Sequence, residues 1–485
     1  MSPEPSSEFV KAMSLTDATM LVAGSMIGSG IFIVSADISR TLGSPLLLLC
    51  VWGLSGLMTL LGALAYGEMA AMYPRAGGQY VFLREAMGPL MGFLYGWTLF
   101  TIIQTGTIAA VAVAFARFLG VLWPAITPDL YMWFPHAEAA IPGGTITFGL
   151  TAQRVVAIVS VWALTWVNLR GVREGKFVQT SFTLVKTAAL ALLVILGLAV
   201  GRNAAAVAAN FGAGSFTAHG DWTGAFVVVF GAAMVGSLFS SDAWNNVTFA
   251  AAEVKDAARN LPKALAMGTL LVTVLYVLTN VSYLSVLPLH GTKDGADVMA
   301  RGIQWASQDR VGTAAAEVIF GASGVTLMAV AILISTFGAN NGLILSGSRV
   351  YYAMARDGLF FKKAGVLSAR KVPAVALIAQ AVWTSLLCLS GTYSQLLDYV
   401  IFAALLFYAL TTIGLFILRA KRPDFPRPYR ALGYPILPAL YIVLASTVCV
   451  VLLIAPTKRL QALLGLTLVM LGIPVFYAWR KAEAV

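Results

Sequence analysis

Seven residues near the N-terminus, G24-S-M-I-G-S-G30, interrupt an apolar segment long enough to cross a bilayer. Three glycines and two serines in seven positions make a poor helix, since each glycine costs about 1 kcal/mol relative to alanine in a helix interior. A helix broken at membrane depth is tolerated only where its freed backbone groups are buried in protein or line a polar cavity. The N–H groups opening the next half-helix then point at an anion such as a carboxylate. A second run, G236-S-L-F-S-S-D242, repeats the pattern 212 residues later, with Asn245 and Asn246 just beyond it. G24-x-x-x-G28 taken alone would serve helix packing equally well. The pair of interruptions favours a binding site.

Lys186 is the one cation left inside an apolar run, S-F-T-L-V-K-T-A-A-L-A-L-L-V-I-L-G. A charge at that depth marks function by default. Snorkelling to the interface is the alternative, but about nine residues separate Lys186 from the start of its expected segment. Asp242 has two readings: it recruits a cationic side chain, or it caps the restarted helix, where a carboxylate suits the N-terminus. Capping is preferred. Glu68 and Glu253 fall near helix ends with Arg75 and Lys255 close in sequence. They read as solvated ends in preference to an inner-gate ion pair. Gly77-Gly78 reads as a turn. Tyr399, Phe402, Phe407 and Tyr408 are aromatic candidates for a pocket wall.

These residues need helices to hold them. The chain has 485 residues, of which 59% are hydrophobic and 11% charged, against roughly 25% charged in soluble domains. It reads as an all-α polytopic membrane protein with no cleavable signal peptide. Twelve spans are predicted, approximately 15–38, 44–72, 88–119, 152–169, 177–200, 222–251, 262–286, 313–347, 373–390, 394–418, 433–456 and 459–479. Assigned to loops in alternation, 22 Lys and Arg fall on the side of the N-terminus and nine on the other. That asymmetry places both termini in the cytoplasm. The same bias accounts for the net charge of +11, so no nucleic-acid partner is expected.

Matching interruptions in two halves point to an inverted-repeat transporter with its site at the midplane. A membrane enzyme would need catalytic groups, yet the chain has no H-E-x-x-H, no G-x-x-x-x-G-K-[ST] and no G-x-S-x-G. Its histidines, His136, His219 and His290, fall in loops. No catalytic residue, metal or cofactor is expected. Cys50, Cys388 and Cys449 all lie in apolar runs, so neither a structural disulfide nor a disulfide-linked heavy chain is expected.

Several motifs resemble one family. They are G-S-M-I-G-S-G-I-F (24–32), G-E-M-A-A-M-Y-P-R-A-G-G-Q-Y (67–80), W-N-N-V-T-F-A-A-A-E-V-K (244–255), R-N-L-P-K-A (259–264), N-G-L-I-L-S-G-S-R (341–349) and R-P-D-F-P-R-P-Y-R (422–430). In this order and spacing the chain is similar to the amino acid–polyamine–organocation (APC) superfamily, within it the L-type amino acid transporter branch.

The resemblance implies a LeuT-type 5+5 inverted repeat with helices 1 and 6 unwound, plus two peripheral helices. The implied division is a cytoplasmic N-tail (1–14), a ten-helix core (15–418, repeats about 15–200 and 222–418), a Pro/Arg linker (419–432), peripheral helices (433–480) and a C-tail (481–485). It implies a free amino acid as substrate, in a multi-pass protein of a bacterial inner membrane. The substrate carboxylate would meet the N–H groups of Gly28, Ser29 and Gly30. Its amino group would meet carbonyls near Met26, Ile27, Phe239 and Ser240. Phe239 matches an aromatic covering the substrate, and Asn245 a polar position after the second break. Lys186 matches a lysine of sodium-independent members, with Ser335 and Thr336 as candidate partners. Neutral amino acid exchange is the leading expectation, with proton-coupled symport or cationic amino acid and polyamine exchange as alternatives. The second break departs from the branch, which often reads Phe-Ala-Tyr-Asp/Gly-Gly-Trp. Here Ser241 replaces an aromatic and Ala243 a glycine in F239-S-S-D-A-W244, so substrate size does not carry over.

Overall fold

The computed structural model describes residues 9–128, 131, 137–141, 144–212, 224–390 and 393–483. His136, His219 and residues 1–8 of the N-tail lie outside them. The helices in chain order are α1 (Leu15–Met26), α2 (Gly30–Leu42), α3 (Pro45–Met72), α4 (Gln79–Met87), α5 (Pro89–Thr98), α6 (Gln104–Leu122), α7 (Ala152–Arg170), α8 (Val172–Ala199), α9 (Ala204–Phe211) and α10 (Gly224–Ser240). There follow α11 (Asn246–Phe249), α12 (Ala257–Val286), α13 (Val298–Arg301), α14 (Val311–Phe320), α15 (Ala322–Arg356), α16 (Ala374–Ser390), α17 (Tyr393–Lys421), α18 (Ile436–Ile454) and α19 (Arg459–Glu483). Among the described residues ten spans are long and apolar enough to cross a membrane, with α1–α2 and α5–α6 each counting as one. The helices α10 and α16 are shorter, at 17 residues each.

Two departures from expectation are local. The strands β1 (Ala137–Ile141) and β2 (Gly144–Phe148) form an antiparallel hairpin, so the chain is not purely helical. The run of β-branched residues Thr145, Ile146 and Thr147 in G144-T-I-T-F148 suits a strand. The predicted span 313–347 is also divided. Gly321 takes φ 64°, ending α14, and α15 then runs on to Arg356. A left-handed glycine is a common way to stop a helix.

The helix α1 starts in a capping box: the Asp17 amide donates to the Ser14 hydroxyl, and the Ser14 amide donates to the Asp17 carboxylate. It packs against α8, α12 and α15, while α2 packs against α10. Behind them α3 lies along α12, and α6 along α15. The pair α18 and α19 flanks the bundle against α17. The loops after α3, α15 and α17 meet at one basic end, joined by Arg75–Glu85, Arg84–Asp357 and Arg422–Glu85 ion pairs.

Candidate functional site

Both predicted interruptions are real breaks. The helix α1 ends at Met26, Ile27 is extended, and α2 restarts at Gly30. The first amides of α2 therefore have no acceptor within their own helix. The helix α10 ends at Ser240 and α11 starts at Asn246. Between them the chain turns through Ala243 at φ 64°, a conformation alanine rarely adopts.

The breaks touch. A Cβ on Gly30 would fall 2.0 Å from the Ser240 hydroxyl oxygen, so only glycine fits there. The Tyr276 hydroxyl, from α12, lies 2.9 Å from the Met26 carbonyl and 3.1 Å from the Ser240 carbonyl, bridging the two broken ends. Phe239 is buried in the last turn of α10. The Ser241 carbonyl faces the Thr59 hydroxyl at 3.4 Å.

Lys186 points inward from α8 and is 2% exposed. Its ammonium donates to the carbonyls of Gly24 (2.5 Å), Ile27 (2.6 Å) and Ser335 (3.3 Å). It does not snorkel. The Ser335 hydroxyl lies 3.1 Å from the Ile27 carbonyl and 3.3 Å from that of Gly28, so α15 is fastened to the same break. Thr336 does not join this cluster, because its hydroxyl donates back to Ile332 within α15.

The capping role preferred for Asp242 is wrong. The helix restarts four residues later, and the N-cap position falls to Asn245, which makes no side-chain cap bond. The Asp242 carboxylate instead accepts from the Tyr408 hydroxyl at 2.5 Å, and Tyr408 also lies 3.3 Å from the Asn245 side-chain oxygen. The Asn245 amide donates to Gln79 (2.7 Å), which donates to Thr411 (3.0 Å). No salt bridge reaches Asp242 among the described residues. Two small pockets of about 10 Å3 each, room for about one water, share Asp242 and Tyr408. Tyr95, Gln104, Thr107, Asn245 and Asn246 line the first. Thr59, Ser241, Trp244 and Tyr441 line the second. Phe402 and Phe407 are buried in α17, Phe407 against Tyr95. The Tyr399 side chain lies outside the described residues.

Glu68 and Glu253 are not solvated ends, for both are 0% exposed. Glu253 pairs with Arg349 of α15 (2.9 Å), not with Lys255. Glu68 accepts from Arg419 (2.6 and 2.9 Å), Arg427 (3.2 Å) and the Ala431 amide (2.7 Å), pinning the linker to α3. Gly77 and Gly78 do form a turn, both at positive φ, and the Gly77 amide reaches the Phe249 carbonyl.

Sequence reasoning missed Tyr276, Gln79, Gln104 and Arg349. An aromatic or a glutamine in an apolar run looks like core packing. Arg349 could have been noticed, because α15 carries it on the residue stretch N341–R349 that is otherwise uncharged.

Comparison with known proteins adds an independent line. The profile of the family described as Amino acid permease matches residues 13–476. The chain is 30% identical to the serine/threonine exchanger SteT of Bacillus subtilis over 484 residues, covering 98% of each. It is 29% identical to the mouse b(0,+)-type amino acid transporter 1, over 90% of this chain and 83% of the relative. It is 28% identical to the human large neutral amino acids transporter small subunit 2, over 96% of this chain and 80% of the relative.

Proposed function

We propose that this chain, which belongs to the amino acid permease family, is a sodium-independent secondary active transporter exchanging neutral amino acids by alternating access. The family and these relatives are transporters, not enzymes. The observation that carries the reading is the Lys186 ammonium seated between the carbonyls of the first break and of α15. A fixed cation there does the electrostatic work that a bound sodium ion would otherwise do.

The substrate carboxylate lies at the amides of Gly28, Ser29 and Gly30, where the N-terminus of α2 favours an anion. Its ammonium lies at the carbonyls of Met26, Ile27, Phe239 and Ser240. The Ile27 carbonyl already accepts from Lys186 and faces the Ser335 hydroxyl, while those of Met26 and Ser240 share the single Tyr276 hydroxyl proton. Each carbonyl has two lone pairs, so Met26 and Ser240 keep capacity for a ligand. Ten helices within 15–418 make the LeuT-type core, and 433–480 flank it. Lys/Arg asymmetry supports termini in the cytoplasm, with a bacterial inner membrane as the proposed location. Burial of Cys388 and Cys449, and the place of Cys50 inside the apolar helix α3, support a carrier without a disulfide-linked partner.

A second reading, exchange of cationic amino acids or polyamines, draws on the buried Asp242 carboxylate. Proton symport is the third. Counterflow in proteoliposomes separates them. Exchange requires substrate on the opposite side, is the same in sodium and choline buffers, and is not driven by an imposed pH gradient. Net uptake driven by either a sodium or a proton gradient overturns the proposal.

A further inference from the structure

The loop between α15 and α16 is anchored on one side and both basic and apolar on the other. Leu359, Phe360, Ala364 and Val372 are buried. The Phe360 ring packs against those of Tyr351 in α15 and Phe100, with centroids 5.7 and 5.3 Å apart. A 3-10 turn, Lys362–Gly365, and a bond from the Ser368 amide to the Val372 carbonyl fix the course of the chain. Between these anchors Phe361 and Val366 stand 56% and 64% exposed. Lys362, Lys363, Arg370 and Lys371 are exposed on the same loop. No acidic residue occurs between Asp357 and Asp398, and Asp357 is already paired with Arg84.

The Phe361 ring also meets that of Trp479, edge to face at 5.3 Å. Trp479 ends the last candidate span, and tryptophan favours the boundary between hydrocarbon and headgroups. Phe361 shares that boundary, and Lys362 and Lys363 follow it directly. Positive charge alone is the ordinary bias of one membrane side. Exposed apolar side chains do not follow from that bias, yet here a phenylalanine and a valine share one anchored loop with four cations. We infer that this loop is a binding surface for anionic phospholipids, its cations meeting the headgroup phosphates while Phe361 and Val366 enter the acyl boundary. A soluble phosphate would use the cations but not the two apolar side chains. Each cation near an anionic membrane surface is worth about fivefold in binding. The surface requires only that α19 reaches the bilayer boundary here, whatever the carrier moves.

The test is thermal unfolding of the full chain in an uncharged detergent, titrated in turn with phosphatidylglycerol, phosphatidylcholine and glycerol phosphate. Phosphatidylglycerol raises the midpoint by mass action, and the other two do not. The variant Lys362→Gln/Lys363→Gln/Arg370→Gln/Lys371→Gln needs at least roughly tenfold more phosphatidylglycerol for the same rise. Phe361→Ser/Val366→Ser also needs more, although its charge is unchanged. A control that removes four exposed cations from other loops, Arg173→Gln/Lys255→Gln/Arg259→Gln/Lys263→Gln, responds as the native protein does. If the fourfold loop variant does not fold, Lys362→Gln/Lys363→Gln gives the same reading at smaller amplitude. An equal loss in the control overturns the inference, because net charge would then suffice. So does an equal rise with glycerol phosphate, which would mark a site for a soluble anion, or an unchanged response in the loop variants.

Discussion

Replacing Lys186 by methionine removes the ammonium and keeps most of the aliphatic stem. The two short bonds, to Gly24 and Ile27 at 2.5 and 2.6 Å, are charge-assisted and buried. At about 1.5–3 kcal/mol each, they tie the break to α8 by about 3–6 kcal/mol. Global stability changes much less, because the variant also escapes the cost of several kcal/mol of burying an ion without a counter-ion. The thermal unfolding midpoint in detergent therefore shifts little. The arrangement of the break does not survive: losing even ~3 kcal/mol lowers its population by about a hundredfold, at ~1.4 kcal/mol per factor of ten. Counterflow by Lys186→Met in proteoliposomes should fall by about two orders of magnitude. Arginine should not rescue it, since a planar guanidinium does not replace a compact ammonium between these carbonyls. A folded Lys186→Met protein retaining more than about a tenth of the native rate would refute the reasoning, given the hundredfold loss expected.

Breaking the buried Glu253–Arg349 pair with Arg349→Met strands a carboxylate and should cost about 3–5 kcal/mol, whereas the double variant Glu253→Leu/Arg349→Met recovers most of it; thermal unfolding of the three proteins checks this. Ala243 at φ 64° bears about 1–2 kcal/mol of left-handed strain. Glycine relieves it but adds about 0.5–1 kcal/mol of chain entropy, so Ala243→Gly should raise the unfolding midpoint slightly, and a fall would contradict the strain. At the basic end, burial pushes the Glu85 carboxyl up, but Arg84, Arg75 and Arg422 outweigh it and hold it below its ordinary 4.5. Its stabilising contribution is complete above that value and is lost as pH falls through the depressed one. An acid titration of unfolding should show a step below about pH 4.5 that Glu85→Gln lacks.

The two breaks and Lys186 were legible in the sequence because their signals are local. Glycine-rich helix at membrane depth is costly wherever it packs, and so is a charge there. Ten of the twelve predicted spans were legible for the same reason, since hydropathy is a property of consecutive residues. The tertiary structure decided which groups those features meet. Tyr276 and Met26 are 250 residues apart, Tyr408 and Asp242 are 166 apart, and Arg349 and Glu253 are 96 apart. No pattern of neighbours encodes those pairs. Asp242 looked like a cap because a helix was expected to resume at once; the left-handed turn at Ala243 delays it to Asn246. Glu68 and Glu253 looked solvated because charged residues near helix ends usually are. Packing of α15 and of the linker around them made them buried partners. What a residue costs in oil is written in its own chemistry, but what repays that cost depends on which distant segment the fold lays beside it.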